Sequence, residues 1–448
     1  MAGLEVGRLA PGLAHLRGYR RSWLRYDVLA GVTVAAYLVP QVMAYAELAE
    51  LPPVAGLWAV LGPLLVYAAV GSSRQLSVGP ESTTALMTAA AVGPVAAGNA
   101  SSHAALAAAL SLMVGALCVV GWATRLGFLA DLLSRPVLVG YMTGIAVMMI
   151  VSQLGKLTGI DVDADTIPGE VAYVARHLED VHGTTLALGT CVLVVLLVGR
   201  HRWPRAPIPL VGMLLATVVV AVLDLEGRGV VVVGSIPAGL PTPSLPSVSA
   251  ADLGSLLLPA VGLAIVAYSD NVLTGRTFAA RNGYPVDANQ ELLGLGTANL
   301  ASGVMQGFPV SSSGSRTAIG DAIGSRSQLY SLVALATVVM TMVFLRPVLA
   351  AFPTAALGAV VVYAATRLVD VAEFRRIARF RGSELVLAAT TTVAVLALDV
   401  LYGVLVAIGL SLLDLLRRVA RPHDAILGFA PGVAGMHDID DYPGATGV

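Results

Sequence analysis

The sequence predicts an all-α polytopic membrane protein with fourteen transmembrane segments in a seven-plus-seven inverted repeat. Three observations predict it: an apolar composition, basic residues that recur on one side of the apolar runs, and two Gly/Pro/Ser-rich interruptions at comparable places in the two halves. Of 448 residues, 56% are hydrophobic and 12% charged, with a mean hydropathy of +0.81. A soluble domain carries roughly 25% charged residues, so this chain lacks the polar surface to cover a globule in water. The net charge of -1 gives no basic footprint for a nucleic acid. Cys118 and Cys191 sit in apolar runs without CxxC spacing, so neither a disulfide framework nor a zinc site is readable. No HExxH, GxSxG or Walker A sequence points to an enzyme.

The amino-terminal segment, 1–25, is basic and broken by Pro11 and several glycines, unlike a secretory signal, and is expected to stay in the cytoplasm. Lys156 is the only lysine among 27 basic residues, a bias of GC-rich coding that points to a bacterial source. A membrane helix needs roughly 20 apolar residues. Clear spans start near Asp27, Val54, Ala104, Pro136, Thr184, Pro207, Leu253, Leu329, Pro353, Ser383 and Leu401. Three weaker segments join them: Pro80 to Ala97, Asp287 to Val304 and Ser311 to Ile323. With these counted, the clusters at Arg17 to Arg25, Arg74, Arg125 with Arg135, Arg200 to Arg205, Arg276 with Arg281, Arg326, Arg367 to Arg381 and Arg417 to Arg421 fall on one side. Basic loops mark the cytoplasm, so both termini are expected inside. Opposite loops read as uncharged or acidic, as at Asp161, Asp163, Asp165, Glu170, Glu179 and Asp180, and the Asn99-Ala100-Ser101 sequon there reads as incidental. The expected organisation is a first repeat over 26–228, an outer linker over 229–252, a second repeat over 253–419 and a cytoplasmic connector over 420–448.

The weak spans carry the chemistry. Gln75 to Thr84 and Gly307 to Thr317 each read as a short extended stretch that ends at a helix start with hydroxyl residues in its first turn. The count sets them seven spans apart, hence in opposite orientation, as in transporters whose broken helices meet near the bilayer midplane. Two facing helix amino termini offer unpaired N–H groups and positive dipole ends, which suit an anion. Ser82, Thr83, Ser312, Ser313 and Ser315 add hydroxyls, and Arg316 adds a full charge. A charge at the bilayer centre costs roughly 3 kcal/mol or more, so Arg316 reads as functional; the alternative is a structural ion pair with Glu81 or Asp270. Gln41 and Tyr45, four residues apart, share one helix face; by itself Tyr45 reads as an interfacial aromatic.

Pro40-Gln41-Val42-Met43-Ala44-Tyr45-Ala46, with Leu51-Pro52-Pro53 and Gly56-Leu57, resembles the first-span signature of the SulP sulfate-permease family. The resemblance continues through Ser77-Val78-Gly79-Pro80, Asn289-Gln290-Glu291-Leu292 with Gly296 and Asn299, and Phe308-Pro309 with Ser315-Arg316-Thr317-Ala318. It implies a core domain of spans 1–4 and 8–11 that moves against a gate domain of spans 5–7 and 12–14, in a homodimer in the bacterial inner membrane. The anion is implied to lie between the amino termini of the third and tenth spans, approached by the first. By motif the substrate-binding set is Gln41, Tyr45, Glu81, Ser82, Ser313, Gly314, Ser315 and Arg316.

Glu81 departs from the often apolar residue of animal members. It reads as a partner for Arg316, a proton carrier, or a charge on its own helix terminus. Asp270 and Thr274 reproduce a spacing that in cyanobacterial bicarbonate members contributes to a sodium site, with Ser312, Ser313 and Gly314 at the matching tenth-span positions. The resemblance thus implies cation coupling through Asp270, Thr274 and Ser312, and no cofactor beyond a bound sodium ion; a carboxylate balancing Arg316 or Arg276 is the plainer reading of Asp270. Asn289, Glu291 and Asn299 read as structural, bonding the backbone of broken helices, and Asp399 and Asp414 as structural too. His437 to Pro443 resembles the connector into a STAS domain, which the sequence to Val448 does not complete. The function implied is coupled secondary transport of an inorganic oxyanion, sulfate ahead of bicarbonate, with protons or sodium. Other readings are a nucleobase symporter of the same fold, or an uncoupled channel or exchanger.

Overall fold

The computed structural model of the chain describes residues 9–131, 134–162, 164, 166–203, 206–380 and 382–420, and short strands at 427–429, 436–438 and 446–447. Asp163, Asp165, Arg205, Arg381, Arg421 and positions 439–443 of the connector lie outside the described residues, as do the side chains of Asp399, Asp414 and Arg417.

A short helix, α1 (Pro11–Arg17), begins on a proline, whose missing N–H costs nothing at a helix start. Next come α2 (Leu24–Leu48), α3 (Pro53–Val70), strand β1 (Val78–Gly79), α4 (Ser82–Ala96) and α5 (Ala100–Ala123). The first half continues with α6 (Arg135–Val151), α7 (Leu154–Thr158), α8 (Ile167–Arg176), α9 (Gly183–Arg202) and α10 (Ile208–Val222). The second half holds α11 (Ala250–Asn282), α12 (Ala288–Val304), strand β2 (Ser311–Ser312), α13 (Gly314–Ile323), α14 (Leu329–Phe344), α15 (Arg346–Ala350), α16 (Thr354–Ala365), α17 (Val371–Phe380) and α18 (Gly382–Ala420). The three weak segments are α4, α12 and α13, within two or three residues of their expected limits.

The 39-residue α18 is too long for one crossing and turns back on itself. A Cβ on Gly403 would stand 2.6 Å from Cα of Val395, yet eight residues of straight helix span about 12 Å. Gly140 of α6 touches Ala388, while the Ser134 N–H before α6 donates to Ser411 Oγ at 2.8 Å. Two legs of α18 therefore lie along α6. Counting them, the spans are α2, α3, α4, α5, α6, α9 and α10, then α11, α12, α13, α14, α16 and the two legs. The amphipathic α8 and α17 are not spans, and the sequence reading did not foresee them as helices. On the face opposite the arginine clusters, the loops also carry Arg176, Arg228 and Arg346, so that face is less purely acidic than expected.

The halves interleave: α5 packs on α12, α2 on α14, α9 on α16 and α6 on α18. Helices in lipid gain most from close backbone approach, which small residues permit. At the α5–α12 crossing a Cβ on Gly115 would meet the Gly296 carbonyl oxygen at 2.8 Å, and one on Gly296 the Gly115 oxygen at 3.0 Å. Between the helices of the expected core and gate, Lys156 Nζ of α7 donates to Glu47 Oε2 of α2 at 2.9 Å.

Broken helices leave polar backbone at membrane depth, which must be satisfied inside the protein. Pro80 and Pro309 bring no N–H. The two stretches pair with each other, antiparallel, in the register Val78↔Ser312 and Gly79↔Ser311. Neighbouring side chains take the remaining groups. Asn299 Nδ2 donates to the Val310 carbonyl at 3.0 Å while its Oδ1 accepts the Val310 N–H at 2.9 Å. Ser302 Oγ donates to Phe308 O at 2.7 Å, Gln328 Nε2 to Ser73 and Leu76 carbonyls at 2.9 Å each, and Tyr330 OH to Gln75 O at 2.7 Å.

Glu291 anchors the approach to β1. Its fully buried carboxylate accepts from Tyr67 OH (2.7 Å), Ser72 N (2.9 Å), Ser72 Oγ (2.7 Å) and Asn271 Nδ2 (2.6 Å). Asn299 and Glu291 bond backbone beside the breaks, as read, whereas Asn289 Nδ2 donates to Trp122 O of the unbroken α5 at 3.1 Å. Glu291→Gln turns one acceptor into a donor among four donors, leaving buried groups unpaired at a cost of roughly 1–3 kcal/mol. The expected result is a lower unfolding temperature of the detergent-purified protein; an unchanged melting curve would refute this account.

Candidate anion-binding site

The paired strands fix two helix starts on either side of one buried guanidinium. Arg316, in the first turn of α13, is fully buried. Its Nη1 donates to Gln41 Oε1 at 3.1 Å and its Nε to Ser77 Oγ at 3.3 Å. Nη2 is buried without a partner and lies 3.4 Å from where a Cβ on Gly79 would stand. Among the described residues no carboxylate comes within 4.0 Å of this group. The ion pair with Glu81 or Asp270 is thus not formed. Gln41 in turn donates through Nε2 to Tyr45 OH at 2.8 Å, the four-residue spacing working as read. Tyr45 is buried, not interfacial.

The two helix ends are capped differently. Glu81 is the N-cap of α4: Oε2 accepts the Thr83 N–H and Oε1 accepts Ser82 Oγ, both at 2.8 Å. Of its three readings, the charge on its own helix terminus is formed and the pairing with Arg316 is not. Ser82 therefore turns its hydroxyl to Glu81. The N-cap of α13 is a neutral hydroxyl: Ser313 Oγ accepts the Arg316 N–H at 3.4 Å and shares a hydrogen bond with Ser315 Oγ at 3.2 Å. The first-turn N–H groups of Gly314 and Ser315 have no intrahelical acceptor. Gly314 is exposed, with open space where a Cβ would stand. One pole, α4, is neutralised internally; the other, α13, keeps its donors and a full positive charge.

Asp270 stands behind β2. Its Oδ2 accepts Ser312 Oγ at 2.9 Å and Ser311 Oγ at 3.4 Å. Thr274, one turn further along α11, is half-buried, and the side-chain partners of Asp270 among the described residues are Ser311 and Ser312. One carboxylate ringed by hydroxyls suits a monovalent cation that takes oxygen ligands. No group of three His, Cys, Asp or Glu suited to a transition metal occurs among the described residues.

Two residues escaped the sequence reading of the site. Ser77 bonds Arg316 through its side chain, and its backbone N–H and C=O bond Thr317 Oγ1 (3.0 Å) and the Ser313 N–H (2.8 Å). Thr317 Oγ1 also donates to Ser313 O at 2.7 Å. The signal available was the hydroxyl just before Val78-Gly79-Pro80.

Residues 24–391 match the sequence model of the Sulfate permease family. A probable sulfate transporter of Mycobacterium tuberculosis is 59% identical over 98% of this chain and 78% of its own length. Murine Solute Carrier 26 family member A9, an anion transporter solved in the inward-facing state, superposes with a TM-score of 0.87 at 24% identity, over 98% of this chain and 76% of that one. The transmembrane domain of the cyanobacterial bicarbonate transporter BicA gives a TM-score of 0.75 at 21% identity, over 88% of this chain and 98% of its own. These two likenesses show the fold, an inverted repeat of helices. The match over residues 24–391, together with a relative 59% identical over 98% of this chain, shows that the chain belongs to the Sulfate permease family.

Proposed function

We propose that this protein, a membrane transporter of inorganic anions and not an enzyme, carries sulfate, with bicarbonate as the next candidate. It works by coupled secondary transport across a bacterial cytoplasmic membrane, with the arginine-rich face inside. The observation that carries the reading is Arg316, a buried cation with Nη2 unpartnered and, among the described residues, no carboxylate within 4.0 Å. A buried charge without a counterion is costly, and an oxyanion that lends an oxygen to Nη2 supplies both the missing charge and the missing acceptor. The donors of Gly314 and Ser315, the Ser313 and Ser315 hydroxyls and the α13 dipole replace the anion's lost water.

Asp270, Thr274 and Ser312 would hold the coupling cation, a proton or a sodium ion. Bound there, that ion lowers the cost of bringing an anion to the same depth. Glu81 acts against the substrate. Its carboxylate already occupies the dipole of α4, so an entering anion meets one open pole and one filled pole. Motion of α2–α5 with α11–α14 against the remaining spans exposes the site to each side in turn, and the Glu47–Lys156 bond lies between these two groups.

Proteoliposome uptake of labelled sulfate and bicarbonate, each with imposed proton and sodium gradients, tests the reading; saturable sulfate uptake driven by one gradient is expected, and uptake of neither anion would refute it. Arg316→Gln loses a charge-assisted bond worth about 3 kcal/mol, so sulfate uptake should fall about 100-fold in protein that stays monodisperse. Asp270→Asn should abolish the response to the imposed gradient, and wild-type rates at every pH and sodium concentration would rule out its role. Glu81→Gln should lower the half-saturating sulfate concentration several-fold by relieving the competition at α4; an unchanged or raised value would show that Glu81 acts only as a cap.

A further inference from the structure

A second basic feature lies where the chain enters the first broken stretch, on the arginine-rich face. A cavity of about 430 Å³ is lined there by Arg25 at the start of α2, Arg74 and Gln75 ahead of β1, Tyr284 beyond α11, and Arg326 before α14. Its volume falls in the range of small-ligand sites. The three arginines come from three separate segments, and no carboxylate lines the cavity.

Two acids bond residues of the lining, Asp27 at Arg326 and Asp321 at Asn282. Asp27 is fully buried and spends its oxygens on the Arg326 N–H (2.7 Å), the Ser327 N–H (3.4 Å) and Ser327 Oγ (2.8 Å). Asp321 accepts Asn282 Nδ2 at 2.6 Å. None of Arg25, Arg74 and Arg326 has an ion pair within 4.0 Å among the described residues.

Arg74 is built into place. Its guanidinium carbon lies 5.0 Å from the centre of the Tyr284 ring, its Nη2 is 3.4 Å from His15 Nε2, and its Nε is buried with no partner. Burial, and then the charge of Arg74, hold the His15 imidazole below its ordinary pKa, so at neutral pH it adds no fourth cation and can accept from Arg74. Tyr284 OH accepts the Arg74 N–H at 3.1 Å and donates to Gln75 Oε1 in a short bond. Arg25 lays its guanidinium over the ring of Tyr26, another residue of the lining, 4.5 Å from its centre, and forked donors of this kind match the oxygens of a phosphate.

We infer that this cavity is a second anion site, separate from the transport site, that takes a phosphate group: the headgroup of an anionic lipid or a free phosphate ion. Both sources present the same chemistry. The lipid source fits the surroundings, because Leu24, Val28 and Leu29 are exposed on the first turns of α2 beside the mouth, and Trp23 stands at the rim. Aromatic and basic residues at a span's end mark the level of lipid headgroups. Occupancy would tie Arg25, Arg74 and Arg326 together, and so stiffen the Arg74–Gln75 segment three residues ahead of β1.

The test uses the full chain carrying Arg316→Gln, which disables the transport site, so that the outcome does not depend on the transport reading. In neutral detergent, inorganic phosphate at constant ionic strength should raise the unfolding temperature above the chloride control. In phosphatidylcholine bilayers, added phosphatidylglycerol should do the same. A response to phosphate alone assigns the free ion; a response to phosphatidylglycerol, with or without phosphate, assigns the headgroup. Adding Arg74→Gln or Arg326→Gln should weaken the half-saturating concentration of the effective probe about tenfold. Arg326 is exposed, so its variant keeps the test open if Arg74→Gln fails to fold. No stabilisation by either probe, or equal stabilisation in the Arg326→Gln protein, would overturn the assignment.

Discussion

Everything in this molecule hangs on the contact between Val78-Gly79 and Ser311-Ser312, where two chain segments that enter from opposite faces stop being helical and pair. Water is absent at that depth, so each backbone group left by the breaks needs a partner from the protein. That requirement accounts for a set of buried polar side chains otherwise out of place among lipid-facing helices: Asn299, Ser302, Gln328, Tyr330 and, one step removed, Glu291. The same pairing brings the helix starts of α4 and α13 close together and puts Arg316 against Ser77 of the opposite half. Structural satisfaction and the anion site are one arrangement.

A twofold plan invites the idea of two equivalent poles, but the caps differ. A carboxylate caps α4 and a neutral hydroxyl caps α13. The pole at α4 holds its own counterion and stays satisfied whether or not a ligand is present. The pole at α13 carries a buried guanidinium whose Nη2 has no hydrogen-bond partner. Within one pseudo-symmetric frame, one helix end is capped by a charge and the other by a neutral hydroxyl beside a buried guanidinium.

Much of this was legible in the sequence because it is local or periodic. The spans follow from apolar length, the breaks from Gly79-Pro80 and Phe308-Pro309, and the Gln41–Tyr45 contact from a spacing of four. What was not legible depends on distances between remote segments. Whether Arg316 meets Glu81 is decided by the Glu81 rotamer, which turns to Thr83 instead. Ser77 reaches Arg316 only because of the β1–β2 register. Arg25, Arg74 and Arg326 read singly as markers of orientation, and only folding brings together residues that lie far apart in the chain. The helices α8 and α17 escaped notice because they are short and polar on one face.

The bond between Glu47 and Lys156 joins the long first span to the short helix α7. Lys156 is the one lysine in the chain, and its side chain is 31% exposed. An amine-acylating reagent therefore has one side-chain target besides the terminal α-amine, sited where α2 meets the helices it is expected to slide against. Its rate of modification becomes a reporter of how often that contact opens, read without substituting any residue.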